Sequence, residues 1–354
     1  MSLALHLVGA PRCGKSTVFD ALTHTAAGPH FTIKGGHRYG AVKVPDDRLA
    51  ALRDLFRPKK YTQAEVVFAD IMPPGGEAAA FRDLMPLAGL ADALVLVVQA
   101  FGEFDGEGRP LDSVGQMEAA LLEMTMADFE LVERRLERVR ADRKHGGKIS
   151  EAELKLLERC HAHLAADRPL RTLELRDDEE KLLRTYRFLS QKPLMVVVNV
   201  GEEAVRETDP APVEQTAAAR GLTTVRFCAA LEAEIARMNE ADQREFLRGY
   251  GIEIPARLQL IRAAYRALHL ISFFTVGEDE VRAWTIREGT RAQAAAGKIH
   301  TDLERGFIRA EVVPAETLLA RGSLAHCRET GELRIEGKDY VVRDGDVVHV
   351  RFSV

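Results

Sequence analysis

A chain of 354 residues exceeds what one hydrophobic core ordinarily serves, and 46% apolar with 29% charged residues excludes a disordered or fibrous polypeptide, so two or three globular domains are expected. The net charge of −5 excludes a globally basic surface, which leaves any nucleic-acid contact to local patches. The four cysteines, Cys13, Cys160, Cys228 and Cys327, contain no Cys-x-x-Cys pair, which argues against structural zinc and fits a reduced, cytoplasmic setting.

Residues 3–8 (LALHLV) are an apolar run with one histidine and predict a buried strand. Residues 9–17 (GAPRCGKST) then match G-x-x-x-x-G-K-[S/T], and residues 18–22 (VFDAL) open a helical pattern. Strand, glycine loop and helix form the context in which successive backbone N–H groups converge on phosphate oxygens at a helix N-terminus. Arg12, Cys13, Gly14, Lys15, Ser16 and Thr17 are therefore expected to bind a nucleoside triphosphate. Lys15 would neutralise the β and γ phosphates, and the Ser16 hydroxyl would reach Mg²⁺.

A GTPase-like site needs more than this loop. Thr32, in FTI at 31–33, offers a second metal-side hydroxyl ahead of the strand-like YGAVKV at 39–44. Residues 65–70 (EVVFAD) predict a strand ending in an acid, as a metal-organising aspartate should, so Ser16, Thr32 and Asp70 are the candidate Mg²⁺ residues. Another buried strand is expected at 93–98; like the run at 194–198 it is too short to span a bilayer, and no leader-like N-terminus is evident, so no membrane is expected.

A charged helical region follows. Leu122, Thr125, Phe129, Val132, Leu136 and Val139 fall at alternating spacings of three and four, the seam of a coiled coil. HGGK at 145–148 interrupts it, and Leu154, Leu157, His161 and Leu164 resume it, which predicts an antiparallel helical hairpin. Its tip, 134–148, carries seven Lys or Arg against two acids: either a solvated surface or an arm that contacts RNA or an acidic partner.

Residues 193–198 (PLMVVV) run into Asn199, Val200, Gly201 and Glu202, and the strand-like 224–228 leads into Ala229. Strands alternating with helices imply a mostly parallel sheet whose carboxyl edge collects all these loops. From about residue 271 the pattern changes to short strands at 273–276, 281–286, 311–313 and 346–352, with a small helix over 290–299.

At this point the chain resembles the Obg-like ATPases of the YchF type, within the translation-factor class of P-loop proteins. The resemblance rests on 9–22, GAVKVPDDRL at 40–49, NVGE at 199–202, CAA at 228–230, VRAWTI at 281–286 and GKIHTDLERGFIR at 297–309, in order along nearly the whole chain. It implies a P-loop G domain in two parts, 1–115 and 190–268, a helical arm at 116–189 and a TGS-like β-grasp domain at 269–354. It also implies that Asn199, Val200, Glu202, Cys228 and Ala229 surround the base. Glu202 stands where guanine-reading loops place an aspartate, and the resemblance implies that this variant accommodates adenine, with ATP preferred and GTP also accepted.

Two departures from the family pattern bear on hydrolysis. The family's Asp-x-x-Gly reads DIMP at 70–73, and Pro73 has no N–H to offer a γ-phosphate, with Gly75 and Gly76 following later. The family's histidine in the loop after the next strand is missing from FGEFDGEGRP at 101–110. The expectation is a nucleotide-dependent switch that binds ATP with Mg²⁺, hydrolyses it slowly and acts on the ribosome or on translation and stress partners. The alternative is a non-hydrolysing nucleotide-binding scaffold whose basic arm and TGS-like domain bind RNA or protein.

Overall fold

The computed structural model describes residues 3–25, 28–72, 81–144, 151–207 and 209–353. Two compact units emerge, one comprising Met1–Ala41 with Val67–Ala264 and the other Val42–Val66 with Tyr265–Val354.

The first unit is built on a seven-stranded sheet ordered Thr223–Phe227, Leu194–Val200, Ala93–Ala100, Ala4–Val8, Ala64–Asp70, His37–Val44, Thr32–Lys34. The first five run parallel, and Thr32–Lys34 is antiparallel to His37–Val44. Leu194–Val200 is buried along its whole length, and Ala93–Ala100 except at its last residue. Central strands covered on both faces need such unbroken apolar runs. Register places Leu7 beside Asp70 and Asn199 between Gln99 and Phe227, so the expected site residues gather at the carboxyl ends of the strands.

The helix Ser113–Lys144 begins against this sheet, where Met117, Leu121 and Met124 join the main core. Only beyond that does it form a hairpin with Glu151–Ala165, through a separate core that includes Val132, Leu136, Val139, Leu157, Cys160 and Leu164. The helices run antiparallel, with Phe129 against His161 at 4.8 Å between ring centroids and Arg135 paired to Glu153 at 2.9 Å. The expected seam is corrected at two places. Leu122 is 50% exposed, because its neighbour Leu121 faces the sheet core instead. In the second helix Leu156 and Cys160 are buried, while Leu154 and His161 are only partly so. The hairpin tip at 145–150 lies outside the described residues.

The second unit carries a six-stranded mixed sheet ordered Arg334–Glu336, Phe307–Pro314, Asp346–Phe352, Leu270–Thr275, Glu280–Arg287, Lys60–Thr62. Leu270–Thr275 is antiparallel to Glu280–Arg287 and parallel to Asp346–Phe352, and Ala292–Ile299 supplies the expected small helix. One segment departs from the expected boundaries, which place residues 42–66 in the first part of the G domain. Helix Asp47–Phe56 buries Leu49 and Leu52 completely in a core with Phe274, Val313 and Leu318, and Lys60–Thr62 pairs with Glu280–Arg287.

Candidate functional site

The phosphate loop begins where the strand Ala4–Val8 ends. Gly9 has φ 148, and a Cβ there would lie 2.3 Å from the Val97 carbonyl oxygen, so the loop can leave the sheet edge only as glycine. Gly14 caps the helix Lys15–Thr23 at φ 98 and, as a glycine, brings no side chain of its own to the first-turn N–H groups. Those N–H groups and the N-terminal end of the helix dipole are therefore directed at an anion. The helix is held behind the loop by Val18, Phe19 and Leu22, all fully buried.

Within the loop the Lys15 ammonium donates to the carbonyls of Gly9 at 3.0 Å and Ala10 at 2.7 Å, lying across the loop it would serve. Burial pushes the Cys13 thiol up despite the nearby Lys15 charge, so Cys13 is an inert packing group here. Arg12 sits at φ 60 and donates to the Gly106 carbonyl at 3.2 Å, fastening the loop at 101–110 to the phosphate loop.

That second loop folds on itself. The Asp105 carboxylate accepts from the N–H groups of Glu107 and Arg109 at 2.8 and 2.9 Å and pairs with the Arg109 guanidinium at 2.9 Å. Gln99 donates from its side chain to the carbonyls of Phe101 and Phe104 at 3.1 and 2.9 Å. These contacts make the loop a stapled turn, and its sequence offers no imidazole to orient a water.

On the metal side, Ser16 donates its hydroxyl to Asp70 at 3.0 Å, and Asp70 is only 1% exposed. A hydroxyl beside a buried carboxylate is the hard oxygen set that suits Mg²⁺ held mainly by phosphates and water, so these two residues fit that ion. Thr32 is not part of this pair: it stands exposed on the edge strand, opposite Tyr39. The group that does reach Asp70 is Arg38, whose Nε lies 3.1 Å from the same carboxylate oxygen. No pattern in the sequence singles out Arg38. Pro73, Gly75 and Gly76, the departure from the family's γ-phosphate segment, lie outside the described residues.

On the base side, Asn199 is 4% exposed and has both ends of its carboxamide engaged. Its Nδ2 donates to the Cys13 carbonyl at 3.1 Å, and its Oδ1 accepts from the Ala229 N–H at 3.1 Å. Asn199 thus ties the phosphate loop to the turn at Cys228 and Ala229. Val200 is buried at the strand end, while Glu202 is exposed at the start of a short 3₁₀ helix. Burial raises the Cys228 thiol, and the nearby carboxylates of Glu202 and Glu203 push in the same direction. The phosphate, metal and base candidates therefore meet at one sheet edge, with Thr32 standing apart.

A family model for the YchF-type GTPase C-terminal region, described as a protein of unknown function (DUF933), matches residues 270–353. The Ribosome-binding ATPase YchF of Bacillus subtilis (strain 168) is 38% identical over 372 residues, with both chains covered in full. Its namesake from Escherichia coli O157:H7 is 37% identical over 370 residues, again over the whole of both chains. The structure of the Schizosaccharomyces pombe YchF GTPase superposes with a TM-score of 0.86 at 28% identity, covering 99% of this chain and 98% of that one. With its mixed α/β architecture, its glycine phosphate loop and full-length relatives at this identity, the chain belongs to the YchF family.

Proposed function

We propose that this protein is an ATP-preferring, Mg²⁺-dependent molecular switch that acts on the ribosome and hydrolyses its nucleotide slowly. The observation that carries the reading is the junction of the phosphate loop with Asp70: a glycine-capped helix N-terminus, Lys15, and the Ser16 hydroxyl on a buried carboxylate, all at one sheet edge. Ser16 and Asp70 would hold Mg²⁺, and the ion would supply charge neutralisation to the phosphates. Lys15 would exchange its two loop carbonyls for phosphate oxygens, and Asn199 would keep the loop registered against the base-side turn. Glu202, exposed beside Cys228, supports adenine over guanine, since its longer side chain carries the carboxylate out of the register that guanine's two donors require. The names of the relatives support the ribosome as partner and ATP as nucleotide.

Slow turnover is expected because the stapled loop at 101–110 carries no imidazole to orient the attacking water. The same observation favours the second reading, a nucleotide-gated scaffold that does not hydrolyse. The two part on one measurement: purified protein is mixed with labelled ATP or GTP, with and without ribosomes, and both binding and phosphate release are followed. Phosphate release that ribosomes accelerate supports the switch. Tight ATP binding with no release under any condition supports the scaffold. GTP binding much more tightly than ATP would overturn the reading of Glu202.

A further inference from the structure

Arg38 is held from four sides at the edge of the phosphate site. Its Nη1 pairs with Asp20 at 2.7 Å; its Nε, at 3.1 Å, and its Nη2 both donate to one oxygen of Asp70. Its guanidinium carbon lies 4.7 Å from the Phe19 ring centre and 5.4 Å from that of Phe31. The Asp70 oxygen it contacts is the one that also receives the Ser16 hydroxyl. A positive charge is therefore already seated on the carboxylate expected to organise the metal. The neighbouring His37 reinforces the placement by accepting the Met72 N–H at 3.1 Å, so both residues of this strand grip the chain around Asp70.

We propose that Arg38 is a built-in cation that competes with Mg²⁺ for Asp70. The inference rests on the reading above, that the site takes a nucleotide with Mg²⁺. A guanidinium and a divalent ion on one carboxylate oxygen would repel each other, and a buried carboxylate offers no intervening solvent to screen them. Metal entry requires Arg38 to release Asp70 while keeping Asp20 and the two rings, which hold its stem near the phosphates. Nucleotide binding then depends on Mg²⁺ less steeply than in a site whose aspartate stands free. Without metal, Arg38 supplies part of the missing positive charge.

The test is nucleotide affinity measured as Mg²⁺ is titrated from an EDTA-buffered zero, for the intact protein and for Arg38→Met and Arg38→Lys. Methionine keeps an apolar stem on Phe19 and Phe31 without charge; lysine keeps the charge but cannot reach Asp20 and Asp70 as a fork. In Arg38→Met the Mg²⁺ concentration giving half of the affinity gain should fall at least about tenfold, the scale of a charge-assisted hydrogen bond, and metal-free affinity should drop. Arg38→Lys should lie between the two. An unchanged or raised midpoint in Arg38→Met, with folding verified by circular dichroism, overturns the proposal while leaving nucleotide binding intact. If Arg38→Met does not fold, the Arg38→Lys midpoint decides on the same criterion. Failure of the intact protein to bind nucleotide at any Mg²⁺ concentration would instead bring down the underlying reading, and this proposal with it.

Discussion

The side-chain amide of Asn199 donates to the main-chain carbonyl of Cys13 across 3.1 Å, joining residues 186 positions apart. The same side chain accepts the Ala229 N–H, so one buried carboxamide sets the spacing between the phosphate loop and the base-side turn. Asn199→Ala leaves a buried carbonyl and a buried N–H unpaired, and the expected loss of stability is about 2–6 kcal/mol at about 1–3 kcal/mol for each stranded group. Urea unfolding checks this. A loss below about 0.5 kcal/mol would mean that water replaces the carboxamide and that Asn199 is no strut.

Gly14 meets the same strut from the other side. A Cβ on Gly14 would fall 2.2 Å from Asn199 Nδ2, at a φ of 98. Gly14→Ala should therefore abolish nucleotide binding while the far-ultraviolet circular dichroism stays native. Gly108→Ala is the matched control, with φ 79 and nothing within 4 Å of the added carbon. It should cost only the left-handed backbone penalty, about 1–2 kcal/mol, and leave binding unaltered. Equal effects of the two substitutions would remove close approach as the reason for glycine at position 14.

Lys15 donates to the Gly9 and Ala10 carbonyls, contacts that a bound phosphate would replace. Lys15→Ala should weaken nucleotide binding about 10- to 100-fold, the equivalent of about 1.5–3 kcal/mol for hydrogen bonds from a charged donor. Isothermal titration with ATP reads it. Binding indifferent to this substitution would place the nucleotide somewhere other than this loop.

Two buried groups give stability opposite slopes in pH. Burial raises the Asp128 carboxyl from 3.8 to about 6, against the pull of the Leu189 and Ser190 N–H groups that donate to it at 2.9 and 2.7 Å. The folded state holds that proton more tightly, so this contribution is present below 3.8 and is lost as pH rises through about 6. Burial lowers His6 from 6.5 to about 4, so its contribution is present above 6.5 and is lost as pH falls towards 4. Each shift corresponds to about 3 kcal/mol between pH 4 and 7, with contrary signs. The unfolding free energy of the protein minus that of Asp128→Asn should fall across this range, and the difference from His6→Asn should rise. A flat difference in either series, from urea titrations at several pH values, would refute that assignment.

Much of the G domain was legible because its signals are local. The phosphate loop needs two glycines, a lysine and a serine at fixed spacing between a strand and a helix, and the structure puts a strand and a helix on either side of it. Central strands announce themselves as apolar runs because both faces are covered. The coiled-coil seam was legible only in part. Spacing alone cannot tell whether Leu121 or Leu122 faces inward when the same helix serves the sheet first and the hairpin afterwards.

The sequence by itself determined that a glycine loop opens the chain, that strands alternate with helices behind it, and that a charged hairpin and a strand-rich segment follow, because each of these is written in neighbouring residues. Only the tertiary structure decided which distant groups meet. The helix Asp47–Phe56 and the strand Lys60–Thr62 belong with the C-terminal unit because Leu49 and Leu52 find their apolar partners there. Asn199 closes onto Cys13 and Ala229, and Arg38 settles on Asp70, since buried polar groups and charges must be paired by whatever the fold brings within reach. That requirement acts through space, and no spacing along the chain encodes it.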